Sequence, residues 1–301
     1  MKVLVTGASG FIGSELCDAL LERGDTVVGL TRDPERARHG NPVILWHPWQ
    51  PHLERPPAKA FEGVDGVVNL VGERIDQRWT DESKRRIMES RRTATHNLVG
   101  TIAGLERRPK VLVSQAAIGY YGDRGDEPVD EADGPGEGFD SEVVQEWEKA
   151  AHEVEHHGVR LVVVRTGHVL DARGGMLGRM LPPFKLGVGG PLAGGDQYVS
   201  WIHMADEVGI MLWALDNDDV SGTINATAPN PVTNKELSQA LGRALSRPAV
   251  MPVPGLTLDL MFGREFGKVL RGGQRVLPER ALELGYEFKY DDLDKALRNL
   301  L

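Results

Sequence analysis

Apolar residues along this chain keep two different rhythms. Short unbroken runs read as strands buried on both faces: Val3-Leu4-Val5, residues 26–30, residues 64–71, Val111-Leu112-Val113 and residues 160–164. Between them apolar positions recur at helical spacing. Phe11, Ile12, Leu16, Ala19 and Leu20 form one such stripe, stopped at Gly24. Residues 80–105 and 141–157 predict two long covering helices. Strand-like runs separated by helix-length segments predict an α/β fold, a Rossmann-type doubly wound parallel sheet.

The rhythm changes past Arg165. Glycine and proline crowd residues 167–195, which predicts a loop-rich, substrate-side region with few regular elements. Helical spacing returns over residues 206–215, and again after Thr233-Asn234-Lys235-Glu236, where Thr233 and Glu236 have capping-box spacing. The chain therefore divides into a nucleotide-binding unit over residues 1–165, with parts of 196–230 returning to its sheet, and a substrate side over 166–301. The latter ends in a small, mostly helical C-terminal lobe packed on the sheet.

The turn Thr6-Gly7-Ala8-Ser9-Gly10-Phe11-Ile12-Gly13 follows a strand and opens a helix, the setting a dinucleotide fingerprint requires. Gly7 permits the tight turn, Gly10 lets the backbone approach a pyrophosphate, and Gly13 lets helix and strand pack closely. Ser9, Phe11 and Ile12 share the loop and the exposed N–H groups of the helix start, a natural anion site. The second strand ends Thr31-Arg32. The first acid after it, Asp33, precedes Pro34 and reads as a helix N-cap. Thr31 and Arg32 are thus left to face the ribose 2′ position, which predicts NADP(H) over NAD(H).

Composition narrows the partners. In 301 residues, 41% hydrophobic and 26% charged content is that of an ordinary globular chain rather than a disordered one. Lys plus Arg number 35 against 44 Asp plus Glu, and a net charge of −9 disfavours nucleic acid and anionic membranes as partners. The lone Cys17 forms no internal disulfide, no apolar run reaches membrane-spanning length, and glycine appears too early for a signal peptide. These features predict a cytoplasmic protein with a small-molecule substrate.

Several longer motifs carry a resemblance. TGASGFIG, NLVGE (69–73), RW (78–79), ESR (89–91), GYYGD (119–123), LPPFKLGVGGPL (181–192), WIH (201–203) and GGQRVLP (272–278) are similar to the atypical, epimerase-like short-chain dehydrogenase/reductase family. The resemblance implies a Rossmann core with bound NADP(H) and a C-terminal substrate lobe. It implies cofactor contacts from the backbone of Asn69, Leu70 and Val71, a phosphate or ribose contact from Arg91, and a nicotinamide wall that includes Val169. It also allows a homodimer through the two long helices. The sequence departs from ordinary short-chain dehydrogenases at the Tyr-x-x-x-Lys pair: Phe139 stands for the tyrosine, Val143 or Val144 for the lysine, and Gln115-Ala116-Ala117 lacks the serine.

Weaker candidates for the missing proton relay are Tyr120 and Tyr121 after the strand at 111–113, and Tyr198, Trp201 and His203 in the substrate half; packing roles compete for each. No catalytic residue is singled out. Two functions follow: an NADP(H)-dependent, epimerase-like oxidoreductase on a small polar substrate, or a non-catalytic NADP(H)-binding redox sensor. Two motifs point elsewhere and are set aside. His152-Glu153-Val154-Glu155-His156 fits the zinc pattern H-E-x-x-H, yet its histidines fall opposite the buried stripe Trp147, Ala150, Ala151 and Val154, so no metal is expected. Lys84-Arg85-Arg86 is spread around a helix with no aromatic platform.

Overall fold

A computed structural model describes residues 1–301. Seven parallel strands form the main sheet: β1 (Lys2–Thr6), β2 (Thr26–Thr31), β3 (Leu45–Pro48), β4 (Gly66–Asn69), β5 (Val111–Ala117), β7 (Arg160–Thr166) and β11 (Gly222–Ala226). Their order is β11-β7-β5-β4-β1-β2-β3. Three small ladders lie outside it, pairing β6 (Pro128–Val129) with β13 (Arg275–Val276), β8 (His168–Asp171) with β10 (Trp201–His203), and β9 (Tyr198–Val199) with β12 (Val232–Thr233).

Alternation along the strands divides the core. Val3, Val5, Val113, Val162 and Val164 face α1 (Phe11–Glu22) and α6 (Met204–Asp216), meeting Leu16, Leu20, Ile210 and Met211. Leu4, Val67, Leu112, Leu161 and Val163 face the opposite way, onto α3 (Asp81–Gly104) and α4 (Phe139–His152), meeting Ala94, Leu98, Ile102 and Val144. Burial on both faces is why these strands read as continuous apolar runs. The helix expected over 80–105 is α3, held by a capping box between Thr80 and Ser83. The one expected over 141–157 starts at Phe139, and its last turn, Glu153–His157, tightens to a 3₁₀ helix.

Two expectations need correction. β3 was not foreseen, because Leu45-Trp46-His47-Pro48 is neither a run nor an alternation; pairing with β2 on the sheet's edge makes it a strand. The segment 167–195 is more regular than its glycines and prolines suggest. It contains β8 and α5 (Gly175–Lys185), with Pro182 and Pro183 inside the helix. Leu177, Leu181 and Phe184 recur at helical spacing on its buried face and outweigh the two lost N–H groups.

The remaining helices are α2 (Pro34–Gly40), α7 (Asn234–Leu245), α8 (Gly255–Phe262), α9 (Arg264–Arg271), α10 (Glu279–Glu283) and α11 (Leu293–Leu300). Residues from α5, α7 and α11 enclose Trp201 in a separate core. The Thr233–Glu236 capping box opens α7 as its spacing predicts. Glu131 ties the end of the chain to the sheet: its carboxylate accepts from Asn225 N at 2.7 Å and from Arg280 N at 3.2 Å. No helix is long and apolar enough to cross a membrane.

Candidate functional site

The glycine turn sits at the carboxyl end of β1. Gly7 has φ +64°, the left-handed region, and a Cβ there would lie 2.7 Å from Leu70 O. A Cβ on Gly13 would lie 2.2 Å from Gly7 O, so helix and strand meet here only because no side chain intervenes. Gly10 N donates to Gly7 O at 2.8 Å, closing the turn. Gly10 also caps α1 with no side-chain bond and no acid in the first turn, which leaves the helix start open to an anion. Ser9 and Phe11 are exposed beside it and Ile12 is half-buried.

To one side of the turn lies the end of β2. Asp33 accepts from Arg36 N at 3.0 Å and is occupied as the N-cap of α2. Thr31 is half-buried and Arg32 exposed at this strand end. To the other side, Thr6, Asn69 and Ser114 stand in register across β1, β4 and β5. Thr6 Oγ1 donates to Asn69 Oδ1 at 2.8 Å, and Asn69 Nδ2 donates to Thr95 Oγ1 at 3.0 Å and Ser114 Oγ at 3.3 Å. Leu70 N donates to Thr6 Oγ1 at 3.0 Å, so this buried row fixes the strand end that carries Leu70 and Val71.

Arg91 on α3 reaches this strand end. A Cβ on Gly72 would come within 3.1 Å of its guanidinium carbon, and the guanidinium lies 5.1 Å from the Trp147 ring centroid. Its Nη1 donates to Ile87 O at 3.3 Å and Ser90 Oγ at 3.4 Å. Burial lowers its pKa to about 10, with Glu73 opposing. A half-buried cation with no carboxylate bonded to it suits an incoming anion. Val169 is buried on β8, and the following Gly174 and Gly175 lie against the Phe11 ring. The structure thus brings Gly7, Gly10, Phe11, Leu70, Arg91 and the segment after Val169 to one edge. These groups fit a dinucleotide.

Where ordinary short-chain dehydrogenases hold tyrosine and lysine, the structure has hydrocarbon. Phe139 and Val143 pack with Trp79, Ile87 and Phe266, and the Trp79–Phe139 centroids are 4.9 Å apart. Of the tyrosine candidates, Tyr121 has its hydroxyl engaged elsewhere. Tyr121, expected on the ligand side, is fully buried; its hydroxyl donates to Asn225 Oδ1 at 2.8 Å and accepts from Arg165 Nη1 at 2.9 Å. Burial pushes its pKa up to about 12. Tyr120 lies with its ring 3.4 Å from the Arg165 guanidinium carbon. Both serve Arg165, which makes two bonds to Glu148, at 2.8 and 2.9 Å.

His203 is likewise structural. Its Nδ1 accepts from Ala205 N at 3.0 Å as the N-cap of α6, Nε2 meets Asn299 Oδ1 at 3.1 Å, and its ring stacks on Tyr290. Burial lowers its pKa. Trp201 is fully buried, and Tyr198 lies beneath Arg275, 5.5 Å from ring centroid to guanidinium. In the H-E-x-x-H segment α4 ends at His152, both histidines are exposed, and His152 Nδ1 meets Glu155 Oε2 at 2.7 Å. The basic run on α3 is answered by Glu82, Glu89 and Glu265.

A cavity of about 180 Å³ opens between the start of α4 and α9. Phe139, Asp140, Asp123, Lys268 and Gln274 are among its walls. Asp123 Oδ1 accepts from Gly273 N at 3.1 Å, and Gln274 Nε2 donates to Ile118 O at 3.0 Å, so the C-terminal segment floors the cavity directly on the loop after β5. Burial, with Asp123 nearby, raises the pKa of Asp140; Lys268 opposes. Sequence reasoning missed Asp140 and Lys268, although GYYGD and GGQRVLP, which meet here, were visible as motifs.

It also missed Glu207 on α6, which is 0% exposed. Thr166 Oγ1 donates to its Oε1 at 2.7 Å, its Oε2 has no partner, and Gln115 Nε2 donates to Thr166 Oγ1 at 3.4 Å. An acid inside the stripe of a helix start was the available signal.

The profile of the NAD dependent epimerase/dehydratase family matches residues 3–226, and a domain of unknown function (DUF1731) matches residues 253–300. The epimerase family protein SDR39U1 homolog, chloroplastic, of Arabidopsis thaliana is 41% identical over 303 residues, covering 100% of this chain and 87% of that protein. Human epimerase family protein SDR39U1 is 37% identical over 306 residues, covering 100% of both. A crystal structure of that human protein (isoform 2) with NADPH superposes with a TM-score of 0.90 at 35% identity, over 100% of this chain and 99% of the other.

Proposed function

The chain belongs to the NAD dependent epimerase/dehydratase family, and on that footing we propose that it is an NADP(H)-binding, epimerase-like oxidoreductase acting on a small polar substrate. The observation that carries this reading is the glycine turn at the carboxyl end of β1, packed so closely at Gly7 and Gly13 that neither position admits a Cβ. The NADPH in the human relative's crystal structure supports the same choice of cofactor. Bound there, the nicotinamide would supply hydride chemistry.

The chain's own residues divide the work. Gly7, Ser9, Gly10, Phe11 and Ile12 line the pyrophosphate, Thr31 and Arg32 take the 2′-phosphate, and Leu70, Val71 and Arg91 hold the adjoining ribose and phosphate. Val169 walls the nicotinamide. The cavity beside Asp140 and Lys268 has the size and polarity for a small hydroxylated substrate. A cytoplasmic setting accompanies this reading, supported by a single buried thiol; the name of the plant relative assigns that protein to the chloroplast.

The test is calorimetric titration with NADPH and NADH. NADPH should bind more tightly, and Arg32→Ala should weaken it by on the order of tenfold, about 1.4 kcal/mol, with little effect on NADH. Equal affinity for the two nucleotides would remove the 2′-phosphate assignment. The apolar packing of Phe139 and Val143 favours a second reading, a sensor that binds NADP(H) without turnover. Consumption of bound NADPH by any member of a carbonyl metabolite panel decides for the enzyme.

A further inference from the structure

The α4 face of the ligand edge holds no free proton-carrying group where the tyrosine and lysine would stand, but the α6 face holds one. We propose that Glu207 is a proton site coupled to the charge of the nicotinamide ring: it keeps its carboxyl proton beside the neutral, reduced ring and loses it to solvent beside the cationic, oxidised ring. The inference rests on the proposed binding of NADP(H) at this edge.

With the 2′-phosphate at the end of β2 and the pyrophosphate at β1, the rest of the dinucleotide must run the other way, over β4, β5 and β7, each about 4.8 Å from the next. Gln115 and Thr166 stand at the carboxyl ends of β5 and β7 on the α6 face, and their hydrogen bond leads from that edge down to Glu207. Thr166 is 7% exposed and Gln115 more so, while Glu207 is wholly enclosed.

One carboxyl oxygen accepts from Thr166 and the other meets no donor. A carboxylate left that way inside a protein is costly, whereas the neutral acid is tolerated. Burial accordingly raises its pKa to about 8, with the Thr166 bond opposing.

Groups on the neighbouring elements leave it alone. Arg165 of β7 turns to the opposite face and Glu148, Asp171 of β8 is bonded to Arg173, and His203 caps α6. His168 of β8 faces Ser200 O, and Cys17 of α1 faces Ala8 O. Asp206, next to it on α6, accepts from Lys289 N and Tyr290 N, and Tyr286 is the titratable group that feels the charge of Glu207. With no cation bonded to Glu207, a cation arriving at the edge above is what would favour its ionised form.

The experiment is titration calorimetry of the full chain with NADP⁺ and with NADPH at pH 7.5, in two buffers of different ionisation enthalpy. The 2′-phosphate contributes equally to both nucleotides, so the difference in protons released is the readout. Wild-type protein should release up to about one proton more with NADP⁺ than with NADPH, and Glu207→Gln should abolish the difference. Should that variant fail to fold, Thr166→Val serves instead. Losing the bond that favours the carboxylate, it should release fewer protons with NADP⁺. A difference that is absent in wild type, or unchanged in the variants, overturns the proposal. Failure of both nucleotides to bind wild type is a separate result and overturns the proposed function itself.

Discussion

The two faces of the sheet's carboxyl edge handle buried polarity in opposite ways. Toward α4, Arg165 and Glu148 sit 4% and 7% exposed and satisfy each other with two hydrogen bonds, with Tyr120 and Tyr121 closing around them. Burial works against the Arg165 charge, yet Glu148 more than offsets it and holds the guanidinium protonated. Toward α6, Glu207 has a single hydroxyl partner and burial prevails. Enclosure is common to both; the partner decides whether a group is locked in its charged form or left able to titrate.

That contrast can be broken from either side. The largest effect is expected from Val143→Lys, which puts the ordinary lysine at one of its two candidate positions but sets an ammonium among Trp79, Ile87 and Phe266. It should leave the chain unable to fold stably, seen as loss of the cooperative urea transition, and a folded variant would show that the hydrocarbon cluster is looser than described. Glu148→Ala strands Arg165 and should cost about 3–5 kcal/mol in the same titration. Tyr121→Phe removes a hydroxyl bonded to both Asn225 and Arg165 and should cost about 1–3 kcal/mol.

The most pH-dependent effect belongs to Glu207→Gln. The carboxyl pKa is raised on folding, so wild-type stability from this group is complete below the ordinary carboxylate range. It declines as pH rises from there to about 8, where the folded protein also ionises. Thermal melts of variant and wild type should therefore diverge in the variant's favour between mildly acidic and mildly alkaline pH, then run parallel. Parallel curves throughout would mean that Glu207 titrates normally.

The sheet was legible because burial on both faces writes itself as apolar runs, and the glycine turn because its spacing reflects contacts that admit no Cβ. Asp33 could be assigned as a cap from Asp-Pro alone, and it is one. Edge strand β3 escaped, since pairing on one side asks little of its composition. α5 escaped because glycine and proline mask a stripe that only its buried face reveals. The polar groups were least legible. Whether Tyr121 faces a ligand or Arg165 depends on which face of β7 the arginine occupies, a long-range fact no local pattern records. Glu207 reads as one more acid in a helix first turn until α6 packs on the sheet and encloses it.

Glu131 carries a consequence for how the molecule comes apart. One carboxylate holds Asn225, in the outermost strand of the sheet, and Arg280, beyond the boundary at which the two matched profiles separate. Asn225 Nδ2 in turn donates to Leu277 O at 2.9 Å. The two matched regions thus share a seam of hydrogen bonds, and separating them breaks those bonds. On heating, the pair is built to melt as a single calorimetric unit, and a protease should find no early cut that frees an intact N-terminal fragment.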